Sequence, residues 1–174
     1  RAQPNIAVLY PSDGVSTERL IEQMAYHPGP AYMRTSRPKT PVIYGPGETS
    51  TTGGLKVVRK STPDTATVVG AGITLFEALK AYDQLKAKGV SIRVIDLYSL
   101  QPIDAATLVR CARETGGTVI TVVDHYAGGG IGDGAGTSHI RQLPRSLAHG
   151  SVVLLGPRQR ATREHEVHVR QATR

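Results

Sequence analysis

Three β-branched runs alternate with two helical patterns through the middle of the chain. The runs are Ala66-Thr67-Val68-Val69, Ile92-Arg93-Val94-Ile95 and Val119-Ile120-Thr121-Val122-Val123. Short apolar runs separated by helical patterns of ten or more residues predict parallel strands joined by crossover helices, with the sheet covered on both faces. In the first helical pattern Leu75, Leu79, Tyr82 and Leu85 recur at three- and four-residue spacing. Thr74 and Glu77 are spaced as a capping box, and Gly89 stands where a C-terminal cap belongs. In the second, Asp104 can satisfy the free N-terminal amides, Leu108, Cys111 and Ala112 form the inward stripe, and Gly116-Gly117 ends the helix. The pattern predicts an α/β sheet.

Ahead of it, Ile6 to Tyr10 reads as a strand and Pro11-Ser12-Asp13-Gly14 as a turn. Ser16 or Thr17 can cap a helix with the apolar face Leu20, Ile21 and Met24, stopped by His27-Pro28-Gly29-Pro30. Ala31 to Arg34 is a second strand, ending in Thr35-Ser36-Arg37-Pro38. One βαβ unit of about 40 residues is too small to bury both faces of its strands unaided. The expectation is that residues 1–44 belong to a domain whose complementary surface lies on other polypeptide. Residues 45–63, rich in Gly, Thr, Ser and Pro, read as a linker with a short strand near Lys56 to Arg59, and a second domain starts near Asp64.

Composition adds limits. The 174 residues are 39% apolar, with no Trp and one Phe, so the core is aliphatic. No apolar run approaches membrane-spanning length and no signal peptide opens the chain. The single cysteine, Cys111, excludes an internal disulfide and falls on an inner helix face, which suits a small core residue in a cytoplasmic protein. The net charge of +7 is uneven: residues 1–132 contribute +3 and residues 133–174 contribute +4. Basic residues without interleaved aromatics give no case for nucleic-acid binding. No Cys/His cluster has zinc spacing, and no Gly-rich loop carries the Lys-Ser/Thr of a nucleotide triphosphate site.

Three motifs invite chemistry. Val69-Gly70-Ala71-Gly72, between strand and helix, suggests dinucleotide binding with Asp96 as ribose acceptor, but Leu75 holds the place of the third glycine. A tight strand-to-helix turn is the better reading. Asp124-His125-Tyr126, before Gly128-Gly129-Gly130-Ile131-Gly132, stands at the carboxyl end of a strand and could transfer a proton. Neighbours on a strand point to opposite faces, however, and a Gly-rich turn with close backbone packing is the plainer reading. Arg34 and Arg37 leave the second strand three residues apart. Either could hold a phosphate or carboxylate in a two-pronged bond, or both could be solvated.

Taken together, several of these words resemble transketolase, the thiamine-diphosphate enzyme that moves a two-carbon ketol unit between sugar phosphates. They are Tyr10 to Val15 with Thr17-Glu18, Arg34 to Pro38, Val68 to Leu75 with Glu77-Ala78-Leu79, and Arg93 to Asp96. Pro102-Ile103-Asp104 and Val123 to Tyr126 with Gly129 to Gly132 complete the set, so the resemblance spans about residue 4 to residue 133. It implies that residues 1–44 end a pyrimidine-binding domain, 45–63 link, and 64–133 form the C-terminal domain. It further implies that Arg37 contacts the substrate phosphate, that Arg34 matches a variable neighbour, and that Asp124 and His125 gain little. Thiamine diphosphate and Mg²⁺ would be bound by the N-terminal portion of a complete, homodimeric enzyme. This chain alone would then bind no cofactor and be inactive.

After Asp133, Gly134, Gly136 and Pro144 interrupt the expected helix, and only Val152 to Leu155 resembles a buried strand. Residues 134–174 hold four of the six His and no Lys, which suits either a shifted reading frame or a divergent tail. The alternative function is a non-catalytic interaction subunit completing a separate N-terminal chain. The related thiamine-dependent dehydrogenases and xylulose-phosphate synthases fit Tyr10 to Val15 and Thr35 to Pro38 less well.

Overall fold

A computed structural model describes residues 1, 3–125 and 130–132, together with the backbone of 150–152 and 169–171. The expected middle is present. Strands β4 (Thr67–Gly70), β5 (Arg93–Asp96) and β7 (Val119–Thr121) are parallel, with β4 between the other two. Strand β3 (Lys56–Arg59), anticipated inside the linker, is the antiparallel edge beside β5, giving the order β3-β5-β4-β7. The other sheet contains β1 (Ala7–Leu9) and β2 (Ala31–Met33) in parallel, linked through helix α1 (Gly14–Ala25). Beside β1 lies β6 (Ser99–Gln101), antiparallel, which the hydrophobic pattern did not signal. Three residues leading into Pro102 are too few to show a period.

Helices α2 (Ile73–Ala87) and α3 (Ala105–Glu114) are crossovers of the larger sheet. Leu75 and Tyr82 are buried beside Val68 and Val94, with Leu79 and Leu85 packed at the margin. Leu108, Cys111 and Ala112 join Val69, Ile95 and Leu97 in a second cluster, so Cys111 is a core thiol. Both helices end alike. After α2, Val90 N–H reaches Leu85 O and Gly89 N–H reaches Lys86 O; after α3, Gly117 and Gly116 repeat the pattern on Ala112 and Arg113. Gly89 and Gly116 adopt the left-handed conformation that this ending requires (φ +77° and +65°).

The starts differ from expectation. Asp13, not Ser16 or Thr17, caps α1: its Oδ1 accepts from Ser16 N–H at 2.8 Å, and the Ser16 hydroxyl accepts from the Asp13 amide. An aspartate one residue before the helix reaches the third amide with a charge, which a neutral hydroxyl inside the first turn does not. Thr74 and Glu77 form no box. The residue preceding α2 is Gly72, the Thr74 hydroxyl bonds back to Ala71 O, and Glu77 pairs with Lys80. At the N-terminus of α3, Asp104 accepts from Thr107 N–H as expected.

On α1, Leu20 is fully buried against Leu9 and Tyr98 with Met24 at the edge, whereas Ile21 is 55% exposed. Arg93, inside a run read as apolar, is buried at its strand's start and faces Asp64 and Glu114. β8 (Gly150–Val152) pairs antiparallel with β9 (Val169–Gln171). It shares only Val152 with the strand anticipated at 152–155, and residues 153–155 lie outside those described, as do Tyr126 to Gly129. Among the described residues no helix is long and apolar enough to cross a membrane.

A cationic cleft where two sheets meet

The carboxyl ends of the parallel strands of both sheets converge. Residues just past β1 and β2 bond to carboxylates of the larger sheet: Ser12 to Asp96, the last residue of β5, and Tyr10 and Arg34 to Asp124, just past β7. Open α/β sheets bind ligands at such edges. Here the edge borders a cleft of about 450 Å³ floored by Ser12, Asp13 and Thr17 and walled by residues 35–40, including Arg37 and Lys39.

Arg37 and Lys39 are exposed. Among the described residues neither forms an ion pair or hydrogen bond. Asp13, the acidic residue in the cleft, has both oxygens occupied: Ser16 holds Oδ1, and the amides of Ile43 and Tyr44 hold Oδ2 at 2.9 and 3.0 Å. Burial alone would raise its pKa, but these donors outweigh it and hold the carboxyl below its ordinary range. Asp13 thus stays ionised yet offers no ready acceptor to Arg37 or Lys39. Two cations with unfilled donors facing a cleft suit an anionic ligand such as a phosphate. Lys39 was not foreseen, because a lone lysine between prolines has no distinguishing spacing.

Arg34 is no solvated surface residue. Its guanidinium makes a two-pronged bond to Asp124, at 2.9 and 2.7 Å, and lies over the Tyr10 ring with 4.7 Å to the centroid. The Tyr10 hydroxyl reaches Asp124 Oδ2 at 3.3 Å and Ser36 Oγ at 3.1 Å. Asp124 is therefore engaged by a guanidinium and a phenol rather than set up as a base, and the Arg34 fork is used within the chain. His125 lines a smaller hollow of about 260 Å³ beside Tyr10, Arg34 and Asp124.

Asp96 holds a more unusual position. It is completely buried, with Ser12 Oγ donating to one oxygen at 2.8 Å and Tyr44 Oη to the other at 2.7 Å. Burial raises its pKa to about 7 against the lowering effect of those two bonds; Asp13 nearby adds to the rise and Lys56 opposes it. A carboxyl at the end of an apolar run gives no sequence sign that its partners lie 84 and 52 residues away.

Within residues 45–63, Ser50 is buried, Gly53 N–H donates to Ser99 Oγ at 2.9 Å, and Lys56 pairs with Glu48 while lying over the ring of Tyr44, which is buried just ahead of this stretch.

The family of this chain follows from its length-wise match to known proteins. The model of the transketolase C-terminal domain matches residues 54–155, more than half of the chain. The chain belongs to the transketolase C-terminal domain family. Transketolase-like protein 1 of Bos taurus is 49% identical over 158 residues, covering 91% of this chain and 26% of that protein. Transketolase of Rattus norvegicus is 46% identical over 133 residues, covering 76% of this chain and 21% of the rat enzyme. A solved chain described as a split gene transketolase, inactive beta4 tetramer, superposes with TM-score 0.80 at 32% identity, over 90% of this chain and 50% of that one. The chain thus spans about a quarter of the curated relatives' length. The domain match starts at residue 54, ahead of β3, and runs beyond Asp133, where the recognisable words end.

Transketolases are generally thiamine-diphosphate dependent, but the residues described here do not fit that cofactor. Among them no group of three or more His, Cys, Asp or Glu is placed to hold a metal ion. The Gly70-Ala71-Gly72 turn is no phosphate cradle either, since the Tyr10 ring fills the space beside Gly72 and the Leu75 backbone lies against Gly70.

Proposed function

We propose that this chain supplies the C-terminal portion of a transketolase, contributing the phosphate-binding side of the substrate cleft through Arg37, with Lys39 beside it. The assembled enzyme would transfer a two-carbon ketol group between sugar phosphates. Thiamine diphosphate, Mg²⁺ and the activating residues would come from an N-terminal portion, and the working unit would be a cytoplasmic homodimer. What supports this reading is identity to transketolases over most of the chain, together with an exposed Arg37 whose donors face the cleft.

The test joins the chain to a transketolase N-terminal portion and follows turnover. Arg37→Ala is expected to cost about 2 kcal/mol in transition-state stabilisation, near thirtyfold in kcat/KM for phosphorylated substrates. An unphosphorylated acceptor should be hardly affected. Equal losses on both substrates, or none on the phosphorylated one, would reject the role of Arg37. Calorimetry of the chain alone with thiamine diphosphate and Mg²⁺ is expected to register no micromolar binding; a micromolar isotherm would place a cofactor site here.

A second reading is an interaction subunit without catalytic residues that completes a separately encoded N-terminal chain. It is supported by the similarity to one chain of a split-gene transketolase. Co-purification with such a chain and activity on mixing would favour it, whereas no association would count against it.

A further inference from the structure

The stretch that carries Arg37 and Lys39 has little to hold it from within. Residues 35–42 make no backbone–backbone hydrogen bond to any described residue. Their position is set at the two ends, and both ends are held by carboxylates of the larger sheet. On one side Asp124 takes the two-pronged bond from Arg34, while Tyr10 ties the same carboxylate to Ser36. On the other side Asp96 takes the Tyr44 hydroxyl at 2.7 Å. Asp96 also holds Ser12, on the cleft floor, at 2.8 Å. Asp13, whose amide follows Ser12, receives the backbone of Ile43 and Tyr44. These bonds span 90, 52 and 84 residues of sequence, so they join parts of the fold that local structure would leave independent.

From this arrangement we propose that Asp96 and Asp124 are positioning residues for the cationic cleft. The larger sheet, which provides no cation to the cleft, fixes the distance between the Arg37 segment and the floor by gripping both ends of that segment. The anchors differ in strength. The Arg34–Asp124 pair is charged at both partners and two-pronged, whereas Tyr44 donates a single neutral hydroxyl to a buried carboxyl. The tethering stands on geometry alone; that the cleft holds a phosphate rests on the function proposed above.

Limited digestion of the full chain with trypsin separates the two ideas. Cleavage after Lys39 reports the freedom of the segment, and cleavage after Lys80, within α2, reports global unfolding. Asp124→Asn and Tyr44→Phe are each expected to raise the Lys39-to-Lys80 cleavage ratio about tenfold, as local opening becomes easier. Arg37→Ala, which touches no tether, should leave the ratio as it is. Arg34→Lys keeps the charge but loses the two-pronged geometry, and it decides the matter if Asp124→Asn fails to fold. Unchanged ratios in Tyr44→Phe and Arg34→Lys would overturn the proposal. Inorganic phosphate, with chloride as control, should slow Lys39 cleavage in the unaltered chain and not in Arg37→Ala. If the tether variants raise the ratio but phosphate protects nothing, the positioning role stands and the phosphate reading of the cleft falls. In the assembled enzyme, the same tether variants should raise KM for phosphorylated substrate more than they lower kcat.

Discussion

Replacing Gly72 by alanine is expected to destabilise the fold by about 3 kcal/mol or more, although it adds a single methyl group. Two costs combine. Gly72 has φ +55° with ψ −130°, a conformation that side-chain-bearing residues rarely adopt. The added carbon would also overlap the Tyr10 ring. Tyr10 has no easy retreat, because its ring lies under Arg34 and its hydroxyl is engaged by Ser36 and Asp124. The double variant with Tyr10→Ala should show strong non-additivity, since removing the ring relieves the overlap but not the backbone strain. Denaturant midpoints at constant m-value measure both quantities. A loss below about 1 kcal/mol for Gly72→Ala would contradict the packing described here.

The second large effect is a pH dependence of stability that runs opposite to that of most aspartates. Asp96 has a folded-state pKa of about 7 because burial disfavours its charge. In the unfolded chain it ionises near 4. Between these values the folded state binds the extra proton, so this group's contribution is greatest on the acid side of the window, falls as pH rises, and levels off above about 7. Three pH units at about 1.4 kcal/mol each set the scale at about 4 kcal/mol. Asp13 acts in the opposite direction, and only at lower pH: its lowered pKa gives a contribution that disappears on acidification below the ordinary carboxylate range. Asp96→Asn should therefore flatten the curve between pH 5 and 7 while leaving the acid limb in place. Parallel stability curves for the two proteins would mean that Asp96 does not titrate in this window.

What could be read from the residues follows the range of the forces involved. The stripe Leu75, Leu79, Tyr82 and Leu85 and the three β-branched runs were legible because each reflects a local period imposed by a buried face. The glycines ending α2 and α3 were legible for a similar reason, since their conformation is set within six residues. Helix starts were less so. Ser16, Thr17, Thr74 and Glu77 all have suitable chemistry for capping, and which group reaches the free amides depends on the path of the preceding chain. The site divides in the same way. Arg37 was singled out by its motif, but the bonds of Arg34 to Asp124, of Tyr44 to Asp96 and of Ser12 to Asp96 are contacts over 90, 52 and 84 residues, and no local pattern encodes them. Strand β6 escaped notice because three residues are paired by tertiary placement rather than by their own alternation.

That short strand has a mechanical consequence. Paired with β1 in the smaller sheet and separated from β5 of the larger one by only Leu97 and Tyr98, it leaves almost no slack chain between the two layers. A wide swing of one layer against the other would have to break the bonds at that junction, Leu97 N–H to Gly70 O and Tyr10 N–H to Tyr98 O. An ion entering from solvent would meet a floor already in place, and only the stretch of residues 35–42 would be left to settle around it, so the entropy lost at each encounter is confined to those few residues.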